Sequence, residues 1–140
     1  MSATVPASRR TPLFHWLRFQ LVLDLAAGLL LLTLPLGVLA RVPVPVLPIG
    51  AGPTAVRLLG LYPAGLAIAF YAATVDGVNG RSAWIANAFR VAGGCALLAG
   101  AAVDPAAPLA LRTLFAGEFL FAAITAFLMS REGLSWWRPS

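Results

Sequence analysis

Three charged residues lie inside long apolar runs of the sequence, and they are the residues most able to do chemistry. Asp24, Arg90 and Glu118 are each well away from the ends of such a run. A charged group at the centre of a membrane-spanning helix costs about 2.5–3.5 kcal/mol on insertion scales, so such groups persist by pairing, by facing a bundle interior or by serving a function. The pattern predicts one cation and two carboxylates within the apolar part of the protein.

These three residues are predicted to lie at nearly the same depth. Counted at about 1.5 Å per residue from one end of the bundle, Asp24, Arg90 and Glu118 lie roughly 15, 12 and 17 Å inside their helices. The depths agree within about one helical turn, and a long arginine side chain spans that difference. Helical spacing of three or four residues adds further polar side chains to the same faces. We therefore predict one polar cluster, made of Gln20, Asp24, Tyr71, Asn87, Arg90 and Glu118.

The cluster has two interpretations that the sequence leaves open. In the structural one, it is a buried ion-pair network that fixes the register of the helices. In the functional one, it is a site for a proton or a ligand. One cation against two carboxylates leaves an excess negative charge, which a proton-coupled site or a site for a cationic ligand could use.

Other chemistry is not indicated by the sequence. His15 is the single histidine, which excludes paired histidine ligation of haem within one chain, and Cys95 is the single cysteine, which excludes an intrachain disulfide. Metal-ligand spacing, a nucleophile elbow, a phosphate loop and a glycine fingerprint are not found. We expect no metal site and no catalytic residues, and an intramembrane enzyme is disfavoured.

The composition indicates what the helices around these residues face. The chain is 60% hydrophobic and 11% charged, with a mean hydropathy of +0.87, whereas soluble domains carry about 25% charged residues. The net charge of +5 is the difference between ten basic residues, all of them arginines, and five acidic residues. The arginines stand singly rather than in a basic patch, so we expect contacts with lipid headgroups and not with nucleic acid.

The apolar runs predict an all-α integral membrane four-helix bundle with short hairpin loops, since one span needs about 20 mainly apolar residues. A flexible basic tail at residues 1–12 is followed by the four-helix domain at residues 13–130. The predicted spans are about residues 14–40, 54–75, 82–103 and 106–129. A cleaved signal peptide is the alternative for the first run. We expect Pro63 to kink the second span or to end an opening turn there.

The remaining segments and the orientation follow from prolines, tryptophans and arginines. Residues 41–53 contain four prolines and two glycines, which predicts a stiff loop on the membrane face. Residues 131–140 are predicted to be an interfacial tail anchored by Trp136, Trp137 and Arg138. With the amino terminus inside, six arginines lie on the inner side and three on the outer, which favours cytoplasmic location of both termini.

Small residues recur at four-residue spacing on three of the spans, which favours close packing of helix backbones. The three stripes are Gly65, Ala69 and Ala73, then Ala92, Ala96 and Gly100, then Ala122 and Ala126.

The second span reads Arg57-Leu58-Leu59-Gly60, then Gly65, then Phe70-Tyr71-Ala72-Ala73. This pattern and the four-span layout resemble small four-helix bacterial membrane proteins of the DoxX-like type and related uncharacterised families. The resemblance implies an accessory or anchoring subunit of a membrane oxidoreductase assembly, including quinone-linked assemblies. It makes a quinone or a lipid the ligand to consider.

Two functions therefore compete. The leading hypothesis is a non-catalytic accessory or scaffold subunit of a larger complex in the bacterial inner membrane. The alternative is a small proton-coupled transporter or ligand-binding protein that works as a homo-oligomer through Asp24, Arg90 and Glu118. A water-accessible cavity at these charges favours the alternative, and a dry, mutually satisfied ion-pair cluster favours the scaffold.

Overall fold

In the part of the chain that the structure describes, the apolar runs form four long helices. The computed structural model describes residues 11–35, 37, 53–103 and 109–134. The helices are α1 Pro12–Thr33, α2 Pro53–Thr74, α3 Gly80–Val103 and α4 Leu109–Arg131. These described ranges contain no strand, so the predicted all-α class with four helices is confirmed. Most of the amino-terminal tail, most of the proline-rich loop and the anchors Trp136, Trp137 and Arg138 lie outside the described residues.

Local sequence sets both ends of α1. The hydroxyl of Thr11 accepts a hydrogen bond from the backbone N–H of Phe14 at 3.2 Å, and Pro12 occupies the first turn, where its missing N–H is not needed. The helix ends at Thr33, before the predicted limit near residue 40. Leu34 has a ψ of 135°, because the ring of Pro35 disfavours helical geometry in the preceding residue.

Helix α2 continues through Pro63, so the proline does not end an opening turn. A short turn then leads into α3, as predicted. Gly77 adopts a φ of 110° in this turn, which favours glycine. The side chain of Asn79 accepts a hydrogen bond from the N–H of Ser82 at 3.0 Å and so caps the start of α3.

Consecutive helices run antiparallel. In the pair α1–α2, Nη2 of Arg18 donates to the carbonyl of Thr74 at 3.3 Å, while Gly28 lies beside Ala64. Residue numbers rise along α1 as they fall along α2, so the two helices have opposite directions.

The same relation holds around the rest of the bundle. Nδ2 of Asn87 on α3 donates to the carbonyl of Ala122 on α4 at 3.2 Å, and further along α3 Arg90 pairs with Glu118. The N–H of Leu13 on α1 donates to Oε1 of Glu132, just after α4, at 3.2 Å. The described helices thus form an up-down-up-down bundle in which α4 returns beside α1.

The bundle has a buried apolar core that includes Leu13, Leu66 and Phe70, and it buries several polar side chains as well. Buried polar residues are Gln20, Asp24, Thr74, Asn87, Arg90 and Thr125. Large exposed apolar side chains occur on all four helices, including Val22, Ile68, Ile85 and Phe127. Two of the described helical stretches, Pro12–Thr33 and Gly80–Ala99, are long and apolar enough to cross a membrane, and the Leu59–Thr74 part of α2 is a shorter apolar stretch.

Helices α1 and α2 meet through glycines. A Cβ added to Gly28 would lie 2.9 Å from the backbone nitrogen of Ala64, and one added to Gly60 would lie 3.3 Å from the carbonyl oxygen of Gly28. Such backbone contact is typical of small residues in packed membrane helices. The small-residue spacing predicted close packing for α2 from Gly65 onward and missed this contact.

We expect Gly28→Ala to lower the free energy of unfolding by about 1–3 kcal/mol, because the new methyl group meets backbone that cannot move aside without separating the helices. Gly117→Ala is the matched control, since a Cβ there meets nothing within 4 Å. Thermal unfolding in detergent, followed by circular dichroism, measures both. Equal melting temperatures for the two variants would contradict the close approach.

Candidate functional site

Arg90 lies at the centre of the bundle and joins three helices. From α3, its Nη1 donates to Oε2 of Glu118 on α4 at 2.6 Å, and its Nη2 donates to Oδ2 of Asp24 on α1. The structure therefore brings together the three charged residues that the sequence places at one depth. We call Asp24, Arg90 and Glu118 the charged triad.

Aromatic rings enclose the guanidinium of Arg90. Its Cζ lies 5.3 Å from the ring centroid of Phe70 on α2 and 5.3 Å from that of Phe121 on α4. These distances are within the range of cation–π attraction. Arg90 is only 2% exposed, so the guanidinium is held by two carboxylates and two rings inside the bundle.

The tyrosine at this site is Tyr62, and the prediction of Tyr71 was wrong. The hydroxyl of Tyr62 lies 3.2 Å from Oε2 of Glu118 and 3.1 Å from the carbonyl oxygen of Arg90, whereas Tyr71 is 52% exposed. The two tyrosines are nine residues apart, which is about two and a half helical turns, so they point to opposite sides of α2. Tyr62, Leu66 and Phe70 follow one another at four-residue intervals on one face of α2, and this spacing would have pointed to Tyr62.

Gln20 and Asn87 bind the same stretch of α4, one turn from the charged triad. The hydroxyl of Thr125 accepts from Nε2 of Gln20 at 3.0 Å and from Nε1 of Trp16 at 2.9 Å, and it donates to the carbonyl of Phe121 at 2.8 Å. Nδ2 of Asn87 donates to the carbonyl of Ala122, as described above. Both amides that the sequence assigned to the cluster are thus bound to α4 beside the charged triad, and their hydrogen bonds go to Thr125 and Ala122.

Three buried polar atoms of the cluster have no hydrogen-bond partner among the described residues: Oε1 of Gln20, Oδ1 of Asn87 and Nε of Arg90. Exchanging the positions of oxygen and nitrogen in the side-chain amide of Gln20 or Asn87 would not give the oxygen a hydrogen-bond donor. The proton of Thr125 is already directed to a carbonyl, and the oxygen of Ala122 can only accept. Each unpaired group costs about 1–3 kcal/mol. The described residues therefore leave three hydrogen-bonding positions of the cluster without a protein partner.

Two glycines of α3 let its neighbours approach the charged triad. A Cβ on Gly93 would lie 2.0 Å from Cε2 of Tyr62, and one on Gly94 would lie 3.1 Å from Cβ of Glu118. Larger residues at these two positions would push Tyr62 and Glu118 away from Arg90.

A pocket of about 270 Å³ lies beside the charged triad and opens to the outside of the bundle. Its polar lining residues are Asp24, Tyr62 and Glu118. The remaining wall is apolar and comes from all four helices: Leu23, Ala27, Leu31, Leu59, Pro63, Leu97 and Phe115. A mostly apolar cavity with a few convergent polar groups has the character of a ligand site. Within the described residues no group of histidine, cysteine and acidic side chains could hold a metal ion.

Removing the charge of Arg90 tests how the charged triad holds together. We expect Arg90→Met to destabilise the bundle by about 3–5 kcal/mol, because it leaves buried carboxylates without a partner. Adding Asp24→Asn and Glu118→Gln to this variant should restore most of the loss. Arg81→Met removes an exposed arginine of the same helix and is the control. The measurement is thermal unfolding in detergent, and an Arg90→Met protein as stable as the control would refute the role of the guanidinium.

The chain matches no family model, no curated protein and no solved structure. The charged triad and its pocket are therefore the features from which a function can be inferred.

Proposed function

We propose that this chain is a multi-pass protein of the bacterial cytoplasmic membrane that binds a small hydrophobic ligand in the pocket beside the charged triad. The observation that carries the proposal is the wall of that pocket, where Asp24, Glu118 and Tyr62 meet an otherwise apolar lining. Ligand sites commonly combine such a lining with a small number of polar groups that fix orientation.

The distribution of side chains supports the membrane location. Large leucine, isoleucine, valine and phenylalanine side chains are exposed on the outer faces of the helices, whereas the charged residues Asp24 and Arg90 and the amides Gln20 and Asn87 are buried. In water this arrangement would expose the apolar surface and bury charges at a cost. In a bilayer the same outer faces contact acyl chains, and the charges are turned toward the bundle interior.

The position of the pocket supports access from the lipid. Hydrogen bonds between α1 and the α4 segment involve Leu13, Trp16 and Gln20 on α1. The pocket residues Ala27 and Leu31 lie on the other side of Asp24 along α1. Helices α1 and α4 are thus hydrogen-bonded to each other on the Gln20 side of the charged triad, and the cavity opens on the Ala27 side. A hydrophobic molecule can reach it from within the bilayer.

The cavity against both carboxylates favours binding over a purely structural role. A network that only fixed helix register would gain by filling this space, because an unfilled cavity costs packing energy. Departures of this kind from optimal packing are typical of functional sites.

Filling the pocket tests this proposal. Ala27→Phe places a ring in the cavity, and Ala26→Phe places the same ring on the exposed face of α1. Each purified protein is extracted with organic solvent, and the extract is quantified by mass spectrometry. We expect a near-stoichiometric hydrophobic compound from the wild type and from Ala26→Phe, reduced at least about tenfold in Ala27→Phe because its site is blocked. Identical extracts from all three proteins would sink the proposal.

A second candidate function, the accessory or scaffold subunit, is favoured by the outer face of α3. Four small residues at helical spacing are exposed there, namely Ala88, Ala92, Cys95 and Ala99. Ala96, from the predicted stripe, is exposed beside them. The described helices of the bundle leave this stripe exposed, and small residues let a helix of another protein approach closely. By the DoxX-like resemblance, that partner would belong to a membrane oxidoreductase.

Native purification in nanodiscs, followed by mass spectrometry of bound proteins, tests the second candidate. If the stripe binds a partner, we expect stoichiometric recovery of another membrane protein with the wild type and its loss with Ala92→Leu, because the added side chain holds the helices apart. Val91→Leu enlarges the neighbouring exposed residue and should leave the partner bound. Recovery of the chain without another protein would rule out the subunit role.

A further inference from the structure

We infer that the ligand of the pocket is a monovalent organic cation with an apolar body. This inference rests on the proposed binding function and specifies the chemistry of the ligand. Its basis is the position of the three charges relative to the cavity. Both carboxylate residues line the pocket, whereas Arg90 lies behind them, nearly inaccessible.

The charges of the described cluster do not balance. One guanidinium pairs with two carboxylates, which leaves a formal charge of minus one when both carboxyl groups are ionised. An unbalanced charge in an apolar interior is strongly unfavourable. A ligand with a single positive charge would bring the site to neutrality without any movement of Arg90.

The carboxylates keep oxygen atoms that the guanidinium does not use. Arg90 contacts Oδ2 of Asp24 and Oε2 of Glu118, and Tyr62 also contacts Oε2. Oδ1 of Asp24 and Oε1 of Glu118 take part in none of these contacts. The side chain of Glu118 is 21% exposed and that of Asp24 is 8% exposed. Glu118 is therefore the more accessible partner for a bound cation.

The remaining wall suits the body of such a ligand. The rings of Tyr62 and Phe115 line the cavity, and aromatic faces attract organic cations, including quaternary ammonium groups. The other lining residues are aliphatic and match an apolar substituent. A volume of about 270 Å³ limits the ligand, or its bound part, to about the size of one substituted ring.

The same wall argues against an anion and against a quinone. Two carboxylates repel an anionic ligand. A quinone carries carbonyl groups that can only accept hydrogen bonds, and the carboxylates of Asp24 and Glu118 in the pocket wall are acceptors too. The hydroxyl proton of Tyr62 is directed to Glu118 or to the carbonyl of Arg90. The quinone implied by the DoxX-like resemblance therefore finds no suitable donor among these residues.

The test uses two probes of the same shape and different charge. Phenyltrimethylammonium is a cation, and tert-butylbenzene is its neutral isostere. Binding of each to the full-length protein in nanodiscs is measured by ligand-observed nuclear magnetic resonance, with empty nanodiscs as background. We expect the cation to bind at least about tenfold more tightly than the isostere. Glu118→Gln and Asp24→Asn should each weaken only the cation by about tenfold, while Asp76→Asn, an exposed acid in the turn before α3, should change neither.

The outcomes separate this inference from the proposed function. If the isostere binds as tightly as the cation and Ala27→Phe blocks both, the pocket binds apolar molecules and the assignment of a cation is overturned. If neither probe binds, or if Ala27→Phe binds both like the wild type, the proposed pocket function fails as well. Retained binding of the isostere by Glu118→Gln shows that this variant is folded, so loss of the cation alone supports the inference.

Discussion

The ion pairs of Arg90 are the interaction on which the rest of the structure depends. One side chain of α3 reaches Asp24 on α1 and Glu118 on α4 and lies against Phe70 of α2, so it touches every helix of the bundle. This requires all four helices to place these residues at one level. It also requires small residues on α3 where Tyr62 and Glu118 approach, and Gly93 and Gly94 occupy these positions. In an apolar surrounding, the pairing must be kept because a lone buried charge is so unfavourable.

The guanidinium of Arg90 lies behind the two carboxylates, and this placement leaves both acids accessible from the pocket that we propose as a binding site. Had Arg90 lain on the open side, it would have shielded both acids from any ligand. As it lies, the rings of Phe70 and Phe121 cover the cation, and the acids face the cavity.

The sequence predicted the helices and the charged triad because hydropathy and rise per residue determine depth. The rotation of each helix about its axis was harder to predict than the depth of its residues. Tyr71 was therefore chosen at a suitable depth, although it lies on the exposed side of α2 and Tyr62 lies on the side that faces the bundle interior. The end of α1 was placed too late because the apolar run continues after Leu34, although Pro35 already forbids the helix. The pocket could not be predicted, since it depends on how far α1 and α4 separate, which no local pattern encodes.

The central claim is that Asp24 and Glu118 present carboxylate oxygens to the pocket while Arg90 holds them from behind. Infrared difference spectroscopy of the protein in nanodiscs tests it most directly, by recording carboxylate bands before and after phenyltrimethylammonium is added. The chain has five acidic residues, so Asp24→Asn and Glu118→Gln can assign the bands. The account predicts that the cation shifts the bands of both residues in the wild type and neither in Ala27→Phe. Binding of the cation with both bands unchanged would contradict it.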